Sequence, residues 1–227
     1  MPLLSVIIPV YNEVNTIKKV IEKVDSVNID KEIIIVDDAS TDGTTALLNG
    51  IKGDNIKVIY HTDNKGKGAA FLAGLAIASG EYVIPQDADL ENDPQDFAAL
   101  VDCAVKGDLP AVFGSRFMKT WRATSWWHYL INKFLTSFAN VLFRASLTDM
   151  ETCYKLVKLD LIKGLDLRSR GFDIDPEIAG KILKRGYKIA EVPISYNGRF
   201  YHEGKKIGWQ DGISAILCLI KLRLTKE

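Results

Sequence analysis

Short apolar runs at residues 3–10, 32–36, 56–60, 82–85 and 111–113 alternate with stretches of helical character at 14–27, 44–50, 68–78 and 94–106. This alternation constrains the fold more than any other feature. A strand followed by a helix that crosses back over it brings the next strand in parallel, so the pattern predicts an α/β fold built on a parallel sheet with flanking helices. Pro94 after Asp93 is a favourable helix start. The stretch from Ala69 to Ala78 is rich in Ala and Gly, which lets a helix lie close to the sheet. With 227 residues, 47% of them hydrophobic, the expectation is one domain spanning 1–227.

The second half changes character. Trp121, Trp126 and Trp127 crowd into 121–146, where Trp126, Trp127, Leu130, Ile131, Phe134, Leu135, Phe138, Val141 and Leu142 share half of a helix. His128, Asn132, Thr136 and Asn140 fall opposite. Further on come a strand at 153–157, a helix opened by Asp175-Pro176-Glu177, a strand at 187–194 and a second amphipathic helix at 209–225 that ends among Lys221, Arg223 and Lys226. Both amphipathic helices fit either a membrane interface or a protein core. No apolar run approaches the ~20 residues of a spanning helix, and the N-terminus lacks the basic flank of a signal peptide.

Lys plus Arg and Asp plus Glu both number 29, so no global field steers the chain to a polyanion, and no nucleic-acid partner is expected. The three cysteines, Cys103, Cys153 and Cys218, lack metal-ligand spacing and fit a reducing compartment.

The polar residues that carry chemistry stand at strand ends, where open α/β sheets bind ligands. Asp87 and Asp89 follow the run at 82–85, and residues two apart in an extended segment point to one side, so the pair can share a hard cation through oxygen. Asp37 and Asp38 end the second strand. Their carboxylates suit the N–H groups of uracil or guanine, and equally an Asp turn with a helix cap. Asn64-Lys-Gly-Lys-Gly-Ala69 has the glycines and following helix of a phosphate loop without the Walker pattern, leaving Lys65 and Lys67 as diphosphate contacts. Arg116 follows another strand and suits a phosphate. Arg199, Lys205 and Lys206 cluster in a glycine-flanked loop.

The order acid, base, acid, base along the sheet resembles the inverting family-2 glycosyltransferases of the GT-A fold. The resemblance is carried by Ser5-Val-Ile-Ile-Pro-Val-Tyr-Asn-Glu13, Glu32-Ile-Ile-Ile-Val-Asp-Asp38, Lys65-Gly-Lys-Gly-Ala69, Gln86-Asp-Ala-Asp-Leu90, Gly114-Ser-Arg116, Asp149-Met-Glu-Thr-Cys-Tyr-Lys155 and Glu191-Val-Pro-Ile-Ser-Tyr196. Within that family the chain is most similar to the polyprenyl-phosphate sugar transferases. The resemblance implies a GT-A, Rossmann-like, predominantly parallel sheet. It assigns Pro9, Tyr11, Glu13, Asp37 and Asp38 to the nucleoside, Asp87 and Asp89 to Mg²⁺ or Mn²⁺ on the donor diphosphate, and Lys67, Arg199 and Lys206 to the donor. Glu91 falls where some relatives carry a third ligand. Arg116 faces the acceptor phosphate, and Asp175 and Glu177 orient the sugar or act as base toward a hydroxyl, unless they only cap a helix.

The implied reaction moves a hexose from a nucleoside-diphosphate sugar, GDP-mannose or a UDP-sugar, to a polyprenyl phosphate, dolichyl or undecaprenyl. The implied location is the cytoplasmic face of a membrane, held peripherally by the helices at 121–146 and 209–225 or by a membrane partner protein. Two alternatives stand beside it: a transferase to hydroxyls of cell-envelope glycans, and a silent membrane subunit that only binds sugar nucleotide.

Overall fold

The computed structural model describes residues 1–119, 126–198 and 209–225, without the side chains of His128 and Trp209. The first half runs β1 (Leu4–Val10), α1 (Ile17–Asp25), β2 (Lys31–Asp37), α2 (Thr44–Leu48), β3 (Ile56–Tyr60), α3 (Lys67–Ile77), β4 (Tyr82–Pro85), a 3₁₀ turn at Pro94–Asp96, α4 (Phe97–Gly107) and β5 (Ala111–Ser115). The second half supplies α5 (Trp126–Phe143), β6 (Lys155–Lys158), α6 (Leu159–Gly164), α7 (Ile174–Lys184), β7 (Ala190–Pro193) and α8 (Trp209–Leu224).

Among the described residues, seven strands form one sheet in the order β3-β2-β1-β4-β6-β5-β7. Strands β3, β2, β1 and β4 are mutually parallel, and β5 is parallel to β7. Strand β6 lies between β4 and β5 and is antiparallel to both. Its reversed direction puts the start of β6 beside the carboxyl ends of its two neighbours, a placement that matters for the site.

The strands read as continuous apolar runs because both faces are covered. Val6, Ile8, Ile33 and Ile35 enter one core with Ile17, Leu48, Phe97 and Leu100, whereas Ile7, Ile34 and Val36 enter the other with Ala70, Phe71, Ile178 and Leu219. Each such side chain contributes roughly 1.5–3 kcal/mol by leaving water. The period of two in the strands thus sorts residues between the α1, α2 and α4 layer and the α3, α7 and α8 layer.

Helix α5 turns its polar stripe to the protein: Thr136 is buried and its Oγ1 accepts the Met150 N–H at 3.1 Å, while Asn140 bonds both the N–H and the C=O of Leu147 at 2.8 Å. The backbone of 147–150 needs these partners, and that need outweighs the tendency of the apolar arc to turn inward. Leu135 and Ala139 still enter the core, but Trp126 and Trp127 are 66% and 69% exposed, and Ile131, Phe134 and Val141 are exposed with them. Helix α8, which packs on α5, also divides: Ala215 and Leu219 are buried, and Ile213, Leu217 and Leu224 are exposed. No helix among the described residues is long and apolar enough to cross a membrane.

Candidate active site

A cleft of about 290 Å³ opens at the carboxyl ends of β1, β2 and β4, bounded by Pro9, Tyr11, Glu13, Asp38, Lys67, Asp87, Asp89 and Glu91. The loops around it are tied down before any ligand arrives. After β1, the N–H groups of Asn12, Glu13 and Val14 donate to the side chains of Ser40, Thr44 and Asp42 at 2.9, 3.0 and 3.1 Å. This lacing also explains why α1 starts at Ile17 instead of residue 14. Asn12, Ala39 and Leu90 all hold positive φ although none is glycine. Such strain is costly and collects where a loop must present groups in one arrangement.

The two carboxylates at the end of β2 divide their work. Asp37 accepts the Ser40 N–H at 3.1 Å and the Thr45 hydroxyl, and so holds its own turn. Asp38 accepts the backbone N–H groups of Lys65 and Gly66 at 2.9 and 2.8 Å, with the His61 Nδ1 2.7 Å from its Oδ1. Asp38 borders the cleft and its Oδ2 carries one of these bonds, which leaves acceptor capacity for a base N–H.

The glycines of the 65–69 loop serve a neighbouring chain segment. A Cβ on Gly66 would meet the Arg170 oxygen at 2.5 Å, and one on Gly68 would meet the Ser169 oxygen at 2.4 Å. Close approach to 169–171 is what requires glycine here. That packing aims Lys67 into the cleft, where its Nζ lies 2.8 Å from Asp87 Oδ1 and 3.4 Å from Asp175 Oδ2. Burial opposes the lysine's charge, but Asp175 and Asp87 outweigh it and hold its pKa well above the ordinary value. Lys65 instead extends outward, toward the exposed Asp63.

Asp87 and Asp89 both line the cleft, the second accepting the Glu91 N–H at 3.1 Å. Two carboxylates open to a cleft that admits a diphosphate form the hard oxygen set from which Mg²⁺ or Mn²⁺ is held jointly with substrate phosphates, so the residues present fit such an ion. Glu91 also bonds the Tyr196 hydroxyl at 2.7 Å, which fastens the chain just before the basic segment to the carboxylate loop. Arg199, Lys205, Lys206 and Trp121 lie outside the described residues.

Arg116 is engaged. Its Nε and Nη2 each donate to Asp149 at 2.7 Å, and the rings of Phe117 and Tyr196 lie 5.7 and 5.2 Å from its guanidinium carbon. Burial works against its charge and Asp149 more than restores it, so the group is firmly cationic. Asp175 is buried between Lys155, at 2.9 Å, and Lys67. Burial pushes its pKa up, yet the two lysines win and hold it below the ordinary range. Glu177 accepts the N–H groups of Arg168 and Ser169 and pairs with Lys181 at 2.8 Å, and it too is held low against burial. Both are committed anions. Asp175 positions Lys67, and Glu177 shapes the loop on which Gly66 and Gly68 rest.

Three contributors had no role assigned from sequence: His61 behind Asp38, Phe172 at the cleft wall 5.8 Å from the Lys67 ammonium, and Lys155, fully buried under Asp175. Only Lys155 carried a signal, as a lysine that opens an apolar strand and therefore demands an anion.

This architecture has counterparts among solved structures. Glucosyl-3-phosphoglycerate synthase from Mycobacterium tuberculosis, in complex with Mn²⁺, UDP and phosphoglyceric acid, superposes with a TM-score of 0.74 at 20% identity, covering 100% of this chain and 80% of that one. A mannosyltransferase from Pyrobaculum calidifontis in complex with GDP-Man and Mn²⁺ gives 0.59 at 21% identity over 85% of this chain and 55% of the other. Both show the fold. In sequence, polyprenol monophosphomannose synthase of Mycolicibacterium smegmatis is 28% identical over 205 residues, 86% of this chain and 77% of the relative. Dolichol-phosphate mannosyltransferase of Pyrococcus furiosus is 30% identical over 214 residues, 90% of this chain but only 59% of the relative. Residues 5–165 match the model of Glycosyl transferase family 2, and with the greater part of the chain inside that match, the protein belongs to this family.

Proposed function

We propose that this protein is an inverting transferase that moves a hexose from a nucleoside-diphosphate sugar to a polyprenyl phosphate at a membrane surface. The observation that carries the reading is the convergence of Asp38, Lys67, Asp87 and Asp89 on one cleft, a base acceptor at one end and a cation with paired carboxylates at the other. The relatives in M. smegmatis and P. furiosus, named for phosphomannose synthesis on polyprenol and mannosyl transfer to dolichol phosphate, support the choice of acceptor.

Asp87 and Asp89 would hold Mg²⁺ or Mn²⁺, and the ion would neutralise charge that develops on the leaving diphosphate. Asp38 receives the base, with the loops after β1 and β2 held around the nucleoside by the lacing described above. Lys67 stays charged under Asp175 and meets the diphosphate as a fixed cation. A phosphate monoester has a second pKa of ~6, so the acceptor is already anionic near neutral pH and needs no strong base. The committed, low-pKa state of Asp175 and Glu177 fits that demand better than it fits activation of a hydroxyl.

The exposed stripes of α5 and α8 are the surface that would meet the bilayer. A Trp buries on the order of 150–250 Å². Trp126→Ser with Trp127→Ser is expected to release the protein from vesicles and abolish transfer to long-chain carriers. Thermal stability and transfer to a short, water-soluble prenyl phosphate should be retained. A fall in melting temperature with loss of both acceptors would make these residues core.

The reaction itself is tested with purified protein, Mn²⁺, a panel of sugar nucleotides and a short prenyl phosphate. One donor at a hundred times its Kd should add about 2.7 kcal/mol of stability and yield prenyl-phosphate hexose. Donor binding without transfer to any prenyl phosphate would overturn the reading.

A further inference from the structure

Beside the paired residues of the site stands a carboxyl with one oxygen left unbonded among the described residues. Glu151 lies in the segment leading into β6, and the antiparallel course of β6 sets that segment against the carboxyl ends of both β4 and β5. The placement is pinned from both sides: the Tyr154 hydroxyl donates to Gln86 Oε1 at 2.6 Å, just before Asp87, and the Arg116 N–H donates to Asp149 Oδ2 at 3.0 Å. In the sheet order, then, the nucleoside end of the cleft sits over β1 and β2 and the carboxylate pair over β4. Glu151 comes next, on the side away from the nucleoside and before Arg116. An acceptor attacking in line must approach from that side, opposite the leaving diphosphate.

Glu151 Oε1 is buried without a hydrogen-bond partner among the described residues, and so is the adjacent Thr152 Oγ1. Buried polar atoms are nearly always satisfied, so two orphans in succession mark a place for something else to bind. The groups that face Glu151 are Arg116 and Asp149 from the β5 side, Lys155 on β6 and Asp175 on α7. Each cation there is already matched by an anion, Arg116 by Asp149 and Lys155 by Asp175. An ionised Glu151 would therefore add a net negative charge where an acceptor phosphate must come. Burial is the main reason its carboxyl is pushed up to about 7, with Asp175 and Asp149 adding to the rise and Lys155 and Arg116 opposing it.

The geometry points to Glu151 as an acceptor-binding residue that, in its neutral acid form, donates its carboxyl O–H to the phosphate of the acceptor; this rests on the phosphate-monoester acceptor proposed above. No proton is transferred in the step. The phosphate dianion attacks C1, the bond from C1 to the diphosphate oxygen breaks, and Glu151 keeps its proton throughout. A dianion bound there raises the affinity of Glu151 for that proton, and deprotonation of Glu151 expels the dianion.

The test is the pH dependence of kcat/KM for a short prenyl phosphate, measured beside that for the donor. Wild-type protein should show an acid limb near 6, from the phosphate, and an alkaline limb near 7, from Glu151, losing about twentyfold between the optimum near pH 6.5 and pH 8.5. Glu151→Gln keeps a donor of similar shape and should lose the alkaline limb for the prenyl phosphate. Glu151→Ala should raise KM for that acceptor more than tenfold with little change in kcat. An alkaline limb unchanged in Glu151→Gln, or one that appears for the donor instead, overturns the inference. In wild-type protein the carbon-13 resonance of the Glu151 carboxyl should titrate at higher pH when prenyl phosphate is added, and a midpoint that stays put or falls is also fatal to it. If the prenyl phosphate binds and moves that midpoint but no hexose is transferred, the proposed function fails while the binding role stands.

Discussion

Two glutamates, one at each end of the same sheet, show how differently one fold treats a buried carboxyl. Glu32 stands second in β2, at its amino end. Its Oε1 accepts the Ser5 hydroxyl at 2.6 Å, the Ser79 N–H at 2.6 Å and the Ser79 hydroxyl at 2.8 Å, and its Oε2 meets Lys57 at 2.7 Å. Burial favours its neutral form, but these four partners win and the pKa falls to about 2. Glu151, at the carboxyl end, has an orphan oxygen and a pKa pushed up to about 7. The amino end has solvated its anion with protein dipoles and is finished. The carboxyl end has left capacity unspent, which is the mark of a surface shaped for a ligand.

The largest effect expected from this division is on turnover. Asp89→Asn removes a carboxylate charge from the cleft, at the position proposed to hold the metal ion, and Asp89 is not part of either hydrophobic core. Transfer should drop at least a hundredfold, about 3 kcal/mol in the barrier, with an unchanged melting temperature. Near-normal turnover in saturating Mn²⁺ would remove Asp89 from the metal site, and a large loss of stability would mean that the two ends are not divided as described.

Next in size is the stability of Glu151→Gln as a function of pH. Because the folded-state pKa is raised, the native protein holds a proton that the unfolded chain has lost, and wild-type stability declines as pH rises from about 4.5 to about 7. Glu151→Gln escapes that decline. It should match wild type at pH 4 and exceed it by up to about 3 kcal/mol at pH 8, read by urea unfolding at both values. A constant difference at the two pH values would show that Glu151 titrates normally.

Glu32→Gln should behave in the opposite sense and by less. Its folded-state pKa is depressed, so its contribution is present above about 4.5 and is lost as pH falls through about 2. Lys57 is half exposed, so solvent screens part of the pair, and a loss of about 2 kcal/mol at pH 7 is expected, shrinking in acid, with turnover untouched. Reduced turnover in a stably folded Glu32→Gln protein would break the separation of scaffold from site.

Much of the scaffold was legible because it rests on local rules. Continuous apolar runs bounded by turns marked the strands, and Asp93-Pro94 marked the start of its helical segment at the residue, the Asp93 side chain accepting the Gln95 N–H at 3.3 Å. The Asp87 and Asp89 pair was placed at the right strand end for the wrong reason: β4 stops at Pro85, Asp89 stands in a turn and not in extended chain, and the turn, not strand alternation, brings both to the cleft. The orientation of helix α5 was left open between a core and an interface, because the unmet backbone groups of 147–150 lie outside the helix, and their capture by Thr136 and Asn140 turned the apolar arc partly outward. The glycines of the 65–69 loop were singled out as a phosphate-loop pattern, and the close approach that the fold shows them permitting is to residues 169–171.

What the sequence alone determined was a set of strand ends and the residues standing on them, because hydrophobic period and turn chemistry act over a few positions. What those residues do was decided in three dimensions. Asp37 and Asp38 are neighbours in sequence, yet one holds a turn and the other borders the cleft. Asp175 looks like a base until Lys67 and Lys155, 108 and 20 residues away, close on it. Glu151 carried no signal of its own inside its motif until the reversed β6 set it between β4 and β5. The charge state of a carboxyl depends on the dipoles and ions within a few ångströms, and distant segments supply most of these only when the chain has folded.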